Sequence, residues 1–240
     1  MSNPNPKAAG ESYFSQPKAL RDILLVGSPI VVMGMIGNVI GGSTLLGGAV
    51  INLGYVLMIL IGIKLLGQQG SSWLDIGLKW PPSWFKTILF GLAAFVGALF
   101  LFVAMQSIAA GLLDAMGMTP AELDQSRFNP IQGDVSLYAL MVVLAWTTIA
   151  FGEELFYRAF LITRMLDFTS LGRWSAILIA GLVFGVVHFA EGPVGILANA
   201  SFGVLFGWVY IRSSLNLWIT IIAHGLINTL RFTLLFMGVV

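Results

Sequence analysis

Seven long stretches of this chain run almost without charge, at about Ile23–Ile40, Leu45–Leu66, Thr87–Leu113, Ser136–Met165, Trp174–Phe189, Val194–Ile211 and Leu217–Met237. A helix rising about 1.5 Å per residue needs roughly 20 apolar residues to cross hydrocarbon about 30 Å thick. Lipid offers the backbone no hydrogen-bond partners, so spans of this length must satisfy their own as helices. The expected fold is therefore all-α, a polytopic membrane bundle of about seven transmembrane helices. The composition agrees: 58% of the 240 residues are apolar and 10% charged, against about 45–50% and 25% in soluble domains. A net charge of +1 gives no footprint for nucleic acid. Cysteine is absent, which removes disulfides, thiolate nucleophiles and cysteine-held metal centres.

Residues 1–22, with Pro4, Pro6 and Pro17, read as a polar N-terminal tail rather than a signal peptide. Residues 23–240 read as one membrane-embedded domain. With the N-terminus in the cytoplasm, ten of the twelve Lys and Arg residues fall on the inner side and only Arg127 and Arg231 on the outer, the asymmetry that the positive-inside rule rewards. The outer loop Asp114–Gly133 carries Asp114, Glu122 and Asp124 instead. In a bacterial cell this would be the inner membrane. The segment Gly67–Lys86, with Trp73, Trp80 and Trp84, has the composition of an interfacial stretch with aromatic anchors. Gly37 with Gly41, Gly181 with Gly185, and Gly203 with Gly207 are four-residue steps that favour close helix packing.

Ionisable side chains inside a span cost about 2.5–3.5 kcal/mol each on insertion scales, so each needs a reason to be there. The fourth span holds Glu153, Glu154 and Arg158 in a helix otherwise rich in Leu, Val, Ala and Phe. Glu154 and Arg158 are four apart and can pair along one face. Glu153 points about 100° away and has no local cation. Both of the chain's histidines lie in spans: His188 four residues after Phe184, and His224 four residues before Asn228. Avoidance of lipid turns all of them toward the bundle interior.

Two imidazoles, a carboxylate and an amide suffice for hydrolysis. Glu153 and one histidine would hold and deprotonate water while the other histidine and Asn228 donate to the developing oxyanion. Alternatively, Glu153, His188 and His224 would supply the three ligands of a catalytic zinc. The same charges could also act as structural glue between helices, or as a proton relay or ligand site in a non-enzymatic transporter or immunity-type binding protein. His188 and Glu191 are three apart, but Glu191 sits at the Gly192-Pro193 break and reads as a loop residue. A Gly-x-Ser-x-Gly elbow and an intramembrane aspartate pair are both missing. Counted from the inner ends of their spans, His188 lies near 21 Å and His224 near 10 Å, a depth difference that a single site must close.

Glu153-Glu154-x-x-x-Arg158, Phe184-x-x-x-His188 and His224-x-x-x-Asn228, in this order over residues 145–228, resemble the three motifs of the CPBP intramembrane proteases. That family includes the type II CAAX prenyl endopeptidases and the Abi or bacteriocin-immunity proteins. The resemblance implies proteolysis, with Glu153 and His188 activating water, His224 and Asn228 stabilising the oxyanion, and Glu154 and Arg158 supporting them. It implies a peptide or protein substrate, lipidated or otherwise membrane-associated. A metal-free glutamate mechanism is the leading expectation and zinc the alternative. Arg231, seven residues after His224, would bind a substrate carboxylate or, in the plainer reading, snorkel or pair with a loop acid. Asn38, Asn52 and Asn199 are expected to hydrogen-bond between helices.

Overall fold

The computed structural model describes residues 16–41, 45–118, 126–168 and 172–239. Pro4, Pro6 and the acidic loop positions Glu122 and Asp124 lie outside them. Seven helices carry the described chain: α1 (Gln16–Gly41), α2 (Leu45–Gln68), α3 (Trp84–Ala115), α4 (Val135–Asp167), α5 (Arg173–Val187), α6 (Gly192–Arg212) and α7 (Leu217–Phe236). Six are long and apolar enough to cross a membrane, and the chain is an integral membrane protein.

Local chemistry sets the boundaries. Ser83, Asp134 and Asn216 cap the starts of α3, α4 and α7 by accepting from the backbone N–H of Lys86, Leu137 and Trp218. Gly192 takes a φ of 70° before Pro193 opens α6, a turn that a β-carbon would strain.

Two expectations need correction. The first helix starts at Gln16, so residues 16–22 are helix rather than tail. Asp22 is fully buried and accepts from Gln69 Nε2, just beyond α2, at 2.8 Å. The fifth apolar run forms a helix of only 15 residues, about 22 Å long and short of a full crossing. It ends where His188 leaves helical geometry, at φ −91° and ψ 23°.

The segment after α2 also divides differently from its composition. Trp80 is exposed, as an interfacial anchor should be, whereas Trp73 is buried against Phe160 with ring centroids 6.0 Å apart. Gly62 makes room for it, since a β-carbon there would sit 2.1 Å from the indole.

Helix α1 packs along α2, α5 along α6, and α3 along both α6 and α7. A β-carbon on Gly181 would lie 2.5 Å from Val204, and one on Gly203 would lie 2.8 Å from the Gly181 backbone, so α5 and α6 touch through their small residues as the spacing implied. At the centre stands the second half of α4, which meets α1, α2, α5, α6 and α7. Every residue from Gly152 to Met165 is buried, and the charged motif lies within that stretch.

Candidate active site

Helix α4 changes pitch where the carboxylates sit. Residues Ala145–Ala150 and Glu154–Ile162 are π-helical, on either side of a short α-helical turn at Phe151–Glu153. Such widened turns are rare and recur at functional sites, because they re-aim the side chains around them. Glu153 and Glu154, expected on separate faces, here reach the same imidazole.

That imidazole is His224. Its Nδ1 lies 2.9 Å from Glu154 Oε1, and its Nε2 lies 3.7 Å from Glu153 Oε2. A carboxylate accepts, so Nδ1 carries the proton and Nε2 is turned toward Glu153. Glu154 Oε2 forms an ion pair with Arg158 Nε at 3.2 Å, the four-residue pairing read from the sequence. Arg158 and Glu154 are almost wholly buried, with side chains 1% and 0% exposed. Three phenyl rings enclose them. Arg158 Cζ stands 4.5 Å from the Phe184 centroid, 5.5 Å from Phe206 and 5.8 Å from Phe202, a cation–π environment that partly replaces lost hydration. The same rings surround His224, nearest Phe202 at 5.1 Å between centroids.

Sequence reasoning missed Tyr55. From α2 it donates its hydroxyl to Glu153 Oε1 at 2.8 Å. A tyrosine in an apolar helix reads as packing; its buried polar tip was the one available signal, since such a hydroxyl needs a partner.

His188 stands one step away. Its Nδ1 is 2.8 Å from the Phe184 carbonyl, which only accepts, so Nδ1 donates and Nε2 keeps its lone pair. Its ring lies 4.7 Å from Phe184, whose other contacts include His224 at 6.2 Å. Phe184, one turn before the end of the short α5, thus has both histidine rings beside it. His188 makes no hydrogen bond to Glu153, Glu154 or His224. Asn228, one turn beyond His224 on α7, holds its amide nitrogen buried and without a hydrogen-bond partner.

Arg231 has an acid beside it. Its Nη1 lies 3.7 Å from Glu191 Oε1, while Glu191 Oε2 accepts from Asn199 Nδ2 at 2.8 Å. Asn199 therefore bonds an acid at the head of its own helix rather than another span. Asn38 likewise donates to Gly34 O within α1, whereas Asn52 of α2 pairs with Thr148 of α4.

Zinc would need three donors about 2 Å from one point. Among the described residues no group of three His, Asp or Glu side chains is so arranged, and His188 turns its Nδ1 to a backbone carbonyl. A recess of about 420 Å³ between Trp84, Trp146, Phe151 and Trp218 is lined almost wholly by apolar atoms and carries no acid–base group.

Residues 135–230, from the start of α4 into α7, match the family described as Type II CAAX prenyl endopeptidase Rce1-like. The match spans all three motifs and supports the CPBP resemblance. Neither the curated proteins nor the solved structures yield a match to this chain.

Proposed function

We propose that this chain, similar over its last four helices to the type II CAAX prenyl endopeptidases, is an intramembrane endopeptidase that hydrolyses a peptide bond with a glutamate-activated water. One observation carries the reading: two adjacent buried carboxylates face opposite nitrogens of one imidazole. Simple helix glue would be served by Glu154, Arg158 and His224. It gives no account of Glu153, a second carboxylate brought to the free edge of the same ring.

Glu153 Oε2 takes a proton from water as the oxygen attacks the peptide carbonyl carbon, and His188 Nε2 accepts the water's other hydrogen bond to fix its orientation. Charge then develops on the carbonyl oxygen. His224, held at Nδ1 by Glu154, and the Asn228 amide stabilise that oxygen. Collapse of the tetrahedral intermediate breaks the C–N bond, and the proton held by Glu153 passes to the departing amine. Arg158 keeps Glu154 oriented toward His224 throughout. No step is routed through a metal. The substrate is a peptide or protein held at or in the membrane, approached with the N-terminus of the chain on the cytoplasmic side.

The test compares peptide termini, by mass spectrometry, in membranes carrying the wild-type chain or Glu153→Gln at matched expression. New termini present only with the wild type are the expected result. Identical profiles would overturn proteolysis and leave a binding or transport role for the same cluster.

A further inference from the structure

Glu154 is held from two sides within the buried cluster, by Arg158 and by His224. Arg158 forms its ion pair with Glu154 rather than with Glu153; the one short hydrogen bond to Glu153 comes from α2, through Tyr55. The approach of α2 to α4 at this point is built by several residues. Gly152 leaves room for the tyrosine ring, since a β-carbon there would lie 2.5 Å from Tyr55 Cδ1. Asn52, three residues before Tyr55 and so on the same face, bonds Thr148 of α4. These contacts aim one phenolic hydroxyl at one carboxylate oxygen.

We infer that Tyr55 is a positioning residue of the active site: its hydroxyl holds Oε1 of Glu153, so that Oε2 is the oxygen presented toward His224 Nε2. This rests on the proteolytic reading and adds to it a helix outside the matched segment 135–230. Hydrogen bonds to a charged acceptor are short and strong. Without this one, Glu153 turns both oxygens to His224, the 3.7 Å separation closes, and the base is lost to water. A tyrosine that merely satisfied its own buried hydroxyl would leave His224 untouched when removed.

The chain's two histidines make the test specific. Imidazole nitrogen NMR on the full chain in nanodiscs, labelled at histidine and assigned with His188→Asn, reads each ring separately. Tyr55→Phe, which keeps the ring, is expected to move the His224 signals and leave His188 in place. On a peptide that the wild type cleaves, it should lower kcat about 10- to 100-fold with KM within about twofold. Gly152→Ala, which keeps the hydroxyl but displaces it, should move the same His224 signals and stands in if Tyr55→Phe does not fold. Unmoved His224 signals would overturn the inference, as would moved signals with an unchanged kcat. Should the wild type cleave nothing, the proteolytic reading falls, while the NMR comparison still decides whether Tyr55 sets the Glu153–His224 geometry.

Discussion

Two polar clusters share helix α7, and they use similar residues to opposite ends. In the first, His224 lies between Glu153 and Glu154, with Arg158 and Tyr55 behind them, and the side chains are nearly sealed from solvent. In the second, Arg231 meets Glu191, which also accepts from Asn199, and the two charged side chains are 40% and 15% exposed. Each cluster has an acid, a base and a span to hold it. The difference is the partner. Glu191 faces a guanidinium and an amide, neither of which gives up a proton near neutral pH, so the second cluster is suited to bracing rather than to proton transfer. Glu153 faces an imidazole, the group that exchanges protons most readily in that range. The two clusters thus differ both in how far they are sealed and in what the acid faces.

Substitutions should separate the two clusters in a graded way. Glu153→Gln has the largest expected effect on turnover, a loss of about 10³-fold in kcat/KM, in keeping with removal of a general base, with the protein still folded by circular dichroism. Arg158→Met should act on stability first: it strands Glu154 in an apolar box, and unfolding measured in detergent should be easier by about 3 kcal/mol. An unchanged melting curve would mean that the phenyl cage, rather than the ion pair, holds that end of the cluster. Asn228→Ala removes one proposed oxyanion donor and should lower kcat about 10²-fold with little change in KM. A rise in KM at constant kcat would move Asn228 from chemistry to substrate binding. Glu191→Gln, in the second cluster, should change stability by less than about 1 kcal/mol and leave turnover nearly as it was. A large loss there would dissolve the distinction between the clusters.

Much of the first cluster is legible in the sequence because its key spacings are helical. Glu154 and Arg158 pair at four residues, and a lipid environment leaves Glu153 and His224 no place but the interior. The rest depends on information that a single helix period does not carry. Glu153 and Glu154 converge on one ring because α4 widens into π-helix around them, a change of pitch with no compositional mark. Tyr55 reaches Glu153 across 98 residues of sequence, and nothing local separates it from a tyrosine that only packs. The fifth apolar run extends through Phe189, so hydropathy overstates a helix that stops at Val187. The shortening matters, because it lets His188 leave the helix at its edge. For Arg231 the sequence offers a loop acid as partner without saying which; the fold supplies Glu191.

The central claim is that Glu153 beside His224 forms a hydrolytic centre, whereas Glu191 beside Arg231 forms a brace. The most direct measurement reconstitutes the wild-type chain, Glu153→Gln and Glu191→Gln in vesicles with the same pool of membrane peptides, and counts newly formed termini by mass spectrometry. The account predicts matching cleavage by the wild type and Glu191→Gln and none by Glu153→Gln; cleavage that survives in Glu153→Gln would contradict it.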